Sequence, residues 1–265
     1  MVLCGDILFS LYFCKELSEY LNENKFNFNI QPNVIDPNNN MQNHPNGKFR
    51  MTIGAAKFLE DLLKSQSYIN EVTFEEKIDE RKYVNLDLFR TLPINFMSGD
   101  IRRWYYNLAR MHLPADFTKP IINVEKNELF ADKIILVYTE RYKNITLDYN
   151  ALKPYKDHLI FFGLPYEYEL FKREYFSLEY YPTKTALEAA KLLAGAKGII
   201  GNASGLFSLA ECLKINRIFL PSEIMIYNKN TSYGPVNVHP QGGWHEVAST
   251  TEKMVDSLKE LIKCK

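Results

Sequence analysis

The chain has no excess of charge in either direction: 32 Lys and Arg stand against 32 Asp and Glu over 265 residues. Binding to a nucleic-acid polymer usually needs a basic surplus, so none is expected as a partner. Local basic patches are compatible with the balance. Cysteine is scarce too. Cys4, Cys14, Cys212 and Cys264 show no CxxC spacing, which argues against a zinc site and against a disulfide framework. A reduced, cytoplasmic setting fits best. No apolar run approaches the roughly 18 residues of a membrane span, although peripheral contact with a membrane stays compatible. The apolar N-terminus is broken by Asp6 and lacks a basic lead, so it does not read as a signal peptide. Neither a Walker A lysine motif nor a GxGxxG fingerprint occurs, which lowers NTPase and dehydrogenase readings.

What is present is a hydrophobic content of 46%, enough to bury a real core, and a βα rhythm. In the first half, Met1 to Cys4 reads as a strand end, followed by Gly5-Asp6 and an amphipathic helix. Strands are expected over 25–31, 70–75 and 84–89. Helices are expected over 52–65, with Thr52 as cap, and 101–112. The Asn- and Pro-rich stretch 32–48 reads as a loop. The basic and aromatic residues of 101–112 read as half core and half solvent.

In the second half, strands are expected over 133–138, 158–162, 176–180, 198–200 and 217–220. Helices are expected over 149–155, 165–173, 183–194 (Thr183 as cap), from Ser204 onward, and 249–263. The segment 234–245, with His239, Trp244 and His245, reads as a long loop. Alternating elements of this length imply an α/β fold with parallel sheets covered on both faces. The expected domains are 1–124 and 125–265.

The most informative stretch is Gly198 to Glu211. A short apolar strand runs into a small-residue turn, Gly201-Asn202-Ala203-Ser204-Gly205, that opens a helix. Unpaired N–H groups and the helix dipole make such a start a seat for an anion, usually phosphate. By shape alone, an ordinary strand-to-helix turn is an equal reading. Other polar groups fall at strand ends: Arg141 and Lys143 after one strand, Glu167 after the next. Cations, a carboxylate and a helix N-terminus around one crevice suit a nucleoside diphosphate. Asp6 holds the corresponding place in the first half. Spacing alone favours a helix cap there; a general base is the functional alternative.

Gly5-Asp6-Ile7-Leu8, and the stretch from Leu187 to Gly205 with its Gly195-Ala196-Lys197 and Gly201-Asn202-Ala203-Ser204-Gly205, resemble the ADP-heptose:lipopolysaccharide heptosyltransferase family. The resemblance lies at both ends of the chain and is strongest over 183–221. It implies a GT-B architecture, two Rossmann-like domains facing across a cleft. It implies a metal-independent glycosyltransferase without a cofactor, in keeping with the lack of a DxD motif. The donor would be a nucleotide sugar, and the acceptor a glycan, a lipid-linked species or a small hydroxyl compound. Asp6 then matches the general base, compatibly with a cap. Lys143, and beside it Arg141, match the basic residue on the donor diphosphate, and Glu167 the carboxylate on the donor ribose. Asn202, Ser204 and Gly205 match the phosphate-binding turn and, with Ser208 on the helix it opens, are expected to bind the donor.

Two positions depart from the family's pattern. Ala203 stands where Asp often precedes the Ser/Thr-Gly pair, and Ser208 where His often follows. Both remove polarity from the donor site and argue against ADP-heptose as donor. They leave two other readings open: a noncatalytic nucleotide-sugar or glycan-binding module, and a nucleotide-sugar epimerase.

Overall fold

The run Ile7 to Cys14 is almost wholly apolar and cannot form a one-sided helix. In the computed structural model it is the buried middle of helix α1 (Cys4–Tyr20), whose residues from Asp6 to Cys14 are all shielded from solvent. The structure describes residues 4–22, 25–35, 49, 51–77, 79, 81, 83–91, 100–109, 116–222 and 240–264, except the side chains of Arg90, Thr91, Ala109 and Arg141. The chain divides into two compact units. One comprises Met1–Asn95, Gly99–Phe117 and Thr185–Leu187; the other Phe96–Ser98, Thr118–Lys184 and Glu188–Lys265.

In the first unit, α1 is followed by β1 (Phe26–Asn29), α2 (Ile53–Lys64) and β2 (Ile69–Thr73). β1 and β2 pair in parallel. Thr52 caps α2 by accepting the Ala55 N–H at 3.2 Å, as its position before an apolar-periodic run predicts. Helix α3 (Ile101–Ala109) buries Trp104, Tyr105 and Tyr106 and leaves Arg103 exposed, the half-core reading of that stripe. Arg102 goes inward. It is fully buried, paired with Asp100, and its guanidinium carbon lies 4.8 Å from the centre of the Phe117 ring. That pairing makes its burial tolerable.

Two expectations fail in this unit. Residues 84–89 are not a strand; Leu86–Thr91 forms a 3-10 helix, with Asn85 Oδ1 accepting the Asp87 N–H at 3.0 Å. Such a local side-chain bond competes with strand pairing. Cys4 does not end a strand but opens α1, so Asp6 is the third residue of the helix rather than the residue before it. Residues 1–3 and most of the Asn- and Pro-rich stretch lie outside the described residues.

The second unit is a six-stranded sheet, parallel throughout. Its strands are β3 (Ile134–Val137), β4 (Leu159–Phe162), β5 (Glu179–Tyr181), β6 (Gly198–Gly201), β7 (Arg217–Phe219) and β8 (His245–Val247). Their order is β5-β4-β3-β6-β7-β8. Counted from β3 this is 3-2-1-4-5-6, the arrangement of dinucleotide-binding α/β folds. Helices α4 (Pro165–Glu174), α5 (Ala186–Gly195), α6 (Gly205–Leu213) and α7 (Thr251–Lys263) connect or follow the strands.

Strand alternation sorts the core. Ile134, Leu136, Phe161, Ile200 and Ile218 face Leu152, Phe171, Met254, Leu258 and Leu261. Phe219 turns to the opposite face and meets Phe207 of α6, ring centres 4.9 Å apart. Gly201 is opposite Val137 in the ladder, and a methyl group there would overlap the Val137 main chain. Only glycine lets β3 and β6 lie this close.

The helix expected over 149–155 is present, as a 3-10 rather than an α-helix. Tyr149–His158 is a 3-10 segment containing Pro154, which supplies no N–H for an i−4 bond. Helix α5 begins at Ala186, so Thr183 is not its cap; Glu188 instead accepts the Lys184 N–H at 2.7 Å and the Tyr181 hydroxyl at 3.0 Å. The expected long loop, 234–245, runs up to β8, whose first residue is His245, and Trp244 packs against the sheet's core. His239 lies outside the described residues.

The four thiols are free, and burial pushes Cys4 up to about 11 and Cys14 up to about 12. Both are poor nucleophiles near neutrality.

Beneath β7, Glu211 and Arg217 form an ion pair at 2.9 Å with both side chains fully buried. Glu211 also pairs with Lys214, and Arg217 donates to the carbonyls of Ile215 and Gly242. This network fastens the Gly242-Gly243 turn, where both residues have positive φ, beneath the strand that β8 pairs with. Removing one member of such a pair leaves an uncompensated buried charge. Arg217→Met is therefore expected to cost about 3–5 kcal/mol in urea unfolding. The double variant Arg217→Met/Glu211→Gln should lose less than the sum of the single changes.

Candidate functional site

In an open parallel sheet, ligands collect beyond the carboxyl ends of the strands, where strand order reverses. Here the reversal falls between β3 and β6, and the residues leaving those strands are Tyr138-Thr139 and Asn202-Ala203-Ser204. Ser204 is the N-cap of α6. Its φ of −150° and ψ of 169° are extended, and its Oγ accepts the Phe207 N–H at 3.1 Å. That bond satisfies the third helical N–H. The N–H groups of Gly205 and Leu206 precede any intrahelical acceptor, and both residues are half-exposed. The turn therefore presents two amide donors and the positive end of the α6 dipole at the switch point. Ser208, one turn on, is buried and donates its hydroxyl to the Ser204 carbonyl at 3.0 Å.

Two asparagines hold the turn in place. Asn202 is fully buried; its Oδ1 accepts the Thr139 N–H at 3.0 Å and its Nδ2 donates to the Thr139 carbonyl at 2.7 Å. Both ends of its amide are thus spent on joining β6 to β3, which makes it a brace beside the Ser204 turn. Asn144 is likewise buried and donates to the Pro221 carbonyl at 2.7 Å. β6 lies between β3 and β7, so the two bonds tie the ends of three adjacent strands around the Ser204 turn.

The charged candidates follow β3 and β4. Lys143 pairs with Glu174 at the end of α4, Nζ to Oε2 2.5 Å, and lies 5.6 Å from the centre of the Tyr175 ring. Partial burial works against its charge, but hydrogen bonds with Glu174 and Tyr175 outweigh this and hold the ammonium above the ordinary lysine value. The same ammonium draws Glu174 below the usual carboxylate value. Arg141 is in the short 3-10 turn Glu140–Tyr142, and its side chain is not among those described.

Glu167 is buried in the first turn of α4. One of its oxygens accepts the Leu164 N–H at 3.0 Å, the other the Tyr166 hydroxyl at 3.4 Å, and Thr139 also bonds it. Gly163 leaves the carboxylate its space: a methyl group there would come within 3.1 Å of Oε2. Through Tyr166 the carboxylate adjoins a cleft of about 530 Å3 lined by Glu140, Tyr166, Glu169, Leu170 and Arg173. A second hollow of about 380 Å3, beside Lys197, Leu213 and Asn216, lies at the opposite ends of the strands.

Asp6 belongs to the first unit. Its side chain is nearly buried, and the Tyr105 hydroxyl donates to its carbonyl at 2.9 Å. Within the second unit, Lys143, Glu167, Asn202, Ser204, Gly205 and Ser208 all lie on segments leaving the carboxyl ends of β3, β4 and β6. Sequence reasoning passed over three participants: Thr139, which receives the brace; Glu174, which holds the lysine; and Asn144. An Asn leaving a strand end is a fair signal for a brace, but Glu174 lies 31 residues from its partner and carries none.

No protein-family model matches the chain, and no curated protein matches its sequence. Solved structures do. The crystal structure of the glycosyl transferase family 9 protein from Veillonella parvula DSM 2008 matches over 99% of this chain and 95% of its own, with 14% identity and a TM-score of 0.52. E. coli ADP-heptose lps heptosyltransferase II matches over 99% and 96%, with 12% identity and a TM-score of 0.55. The chain has the fold of these transferases. The α/β class expected from the sequence is the one observed. No described helix is long and apolar enough to cross a membrane.

Two predictions follow from the braces and the buried carboxylate. Asn202→Ala leaves the Thr139 N–H and carbonyl without their partner, an expected loss of about 2 kcal/mol. Faster hydrogen exchange at the Thr139 amide would mark where it acts. Burial raises Glu167 above its ordinary value of 4.5, so the folded state favours the neutral acid. That contribution is fully present below the unfolded-state value and fades as pH rises through the higher folded-state value. The stability of Glu167→Gln relative to the parent should therefore improve from pH 4 upward, read by urea unfolding across the range. An unchanging difference would contradict it.

Proposed function

We propose that this protein is a glycosyltransferase that moves a sugar from a nucleoside-diphosphate sugar to an acceptor hydroxyl. The observation that carries the reading is the Ser204-capped start of α6 at the switch point of a 3-2-1-4-5-6 sheet. The fold shared with glycosyl transferase family 9 supports it. The diphosphate rests on the Gly205 and Leu206 amides, with Ser204 closing the turn. Lys143 meets its charge from the β3 side, and Arg141 adds a second cation. Glu167 accepts bonds from the ribose hydroxyls. Asn202 and Ser208 keep the turn in shape rather than touching the ligand.

Asp6 acts as general base: it takes the acceptor's proton as the hydroxyl oxygen attacks the sugar's anomeric carbon. The bond to the diphosphate then breaks, and the amides and Lys143 stabilise the departing charge. No metal takes part. The protein works in the cytoplasm. The acceptor class stays as broad as the sequence leaves it: a glycan, a lipid-linked species or a small hydroxyl compound.

A second reading has its own support. Ala203 supplies no carboxylate beside the seat, and the Ser208 hydroxyl is engaged with the Ser204 carbonyl. A noncatalytic nucleotide-sugar module of the same fold is consistent with both.

A thermal-shift panel of nucleoside diphosphates and nucleotide sugars separates these possibilities. A diphosphate at 100 times its Kd should stabilise the fold by about 2.7 kcal/mol, and the corresponding nucleoside should do far less. Asp6→Asn should lose transfer by about 100-fold or more while still binding donor. Donor binding with no turnover in the parent chain would favour the module. No response to any diphosphate would overturn both readings.

A further inference from the structure

Lys143 lies on the segment after β3 and has a side chain with four rotatable bonds; a free lysine loses much of that freedom on meeting a phosphate. In this structure it is already held. Its ammonium is 2.5 Å from Glu174 Oε2 and near the Tyr175 ring. Glu174 is itself fixed from the other side: the same Oε2 accepts the Tyr138 hydroxyl at 3.4 Å, and Tyr138, the residue that follows β3, is buried. Tyr138 packs edge-on against Tyr149, Phe171 and Tyr175, with ring centres 5.5 to 6.1 Å away. The chain of contacts thus runs from the rigid strand end through a tyrosine and a carboxylate to the lysine.

We propose that Glu174 is a positioning residue for Lys143, holding its ammonium toward the diphosphate. The inference rests on Lys143 meeting the diphosphate. An ammonium has three N–H donors, so its bonds to Glu174 and Tyr175 leave one for a phosphate oxygen. Both side chains remain partly exposed, 25% and 29%, so the carboxylate's repulsion of the ligand is screened by water. The ordering of the lysine is not reduced in the same way. Among the described residues, the titratable groups facing the lysine are Glu174 and Tyr175, with Tyr138 acting through Glu174. Without Glu174, only Tyr175 opposes the downward pull of burial, and the lysine loses its proton at lower pH than in the parent.

The test is calorimetric titration with ADP at pH 7.5 and about pH 9.5, the latter below the ordinary lysine value. The proteins are the parent, Lys143→Ala, Glu174→Gln and Glu174→Gln/Lys143→Arg, each checked by thermal melting. Lys143→Ala should weaken binding at least tenfold. Glu174→Gln should weaken it about 3- to 10-fold at pH 7.5 and several-fold more at the higher pH, where the parent changes little. The arginine in the double variant stays protonated throughout, so the extra loss at high pH should vanish. A support that merely packed the site would produce no such pH dependence and no such rescue.

If Lys143→Ala weakens binding but Glu174→Gln binds as tightly as the parent or tighter at pH 7.5, or shows no further loss at the higher pH, the proposal is overturned. If Lys143→Ala binds like the parent, the lysine is not at the diphosphate, and both that assignment and this proposal fall.

Discussion

The close approach of β3 and β6 is the constraint on which the second unit depends. Strand order reverses between them, so the elements leaving their ends part, the position at which open α/β sheets form their ligand crevice. Such a pair of strand ends is a weak point, because the ladder bonds stop there. Three features offset that weakness. Gly201 removes the side chain that would push Val137 away. Asn202 continues the pairing one residue beyond the ladder with side-chain bonds in place of main-chain ones. Asn144 ties the loop after β3 to the end of β7. The crevice is therefore bounded by fixed backbone, and the Ser204 turn inherits that rigidity.

The polar groups around the crevice are mostly engaged with the protein itself. Glu167 caps α4, Asn202 braces Thr139, Ser208 bonds back to Ser204, and Lys143 is paired with Glu174. A buried polar group without a partner costs free energy, so this is what a stable site requires in the absence of ligand. It also sorts the groups by what they can still do. An amide brace with both ends occupied has little left to offer. A carboxylate with several lone pairs, or an ammonium with a spare donor, can add a ligand bond without breaking an existing one. The main-chain donors at the start of α6 are the least committed of all, which is why the seat is assigned to them.

Much of this was legible from residue order. The apolar strands at 134–137, 159–162 and 198–201 are continuous runs of the kind that parallel strands covered on both faces require. Thr52 was readable as a cap, and Ser204 as the start of a helix, because each precedes an apolar-periodic run. What failed did so for local reasons. Asn85 diverted an expected strand into a 3-10 helix, and Pro154 made an expected helix 3-10 rather than α. Helix α5 starts three residues after Thr183 because Glu188 satisfies the Lys184 amide from inside the helix. Strand β8 is three residues of mixed polarity, His245-Glu246-Val247, with no alternation long enough to register. Glu174 was invisible because its meaning depends on a partner on a different strand's loop. Periodicity reports which face a residue takes, but not which charge it will find there.

The first unit shows why the Asp6 segment tolerates an unusual setting. Among the described residues it contains one parallel strand pair, β1 and β2, with α2 between them, beside a core dominated by aromatic rings. Helix α1 is buried around most of its circumference, so it cannot rotate or slide without opening that core. Tyr105, itself fully buried, fixes the first turn through the Asp6 carbonyl, and the Asp100–Arg102 pair anchors the start of α3 among Phe9, Tyr12 and Phe117. A carboxylate in the first turn of such a helix is steadied by the dipole and has its backbone fixed in place. Those are the properties a general base needs before any substrate arrives. They arise from packing alone, so the same segment serves the stability of the unit whether or not Asp6 ever removes a proton.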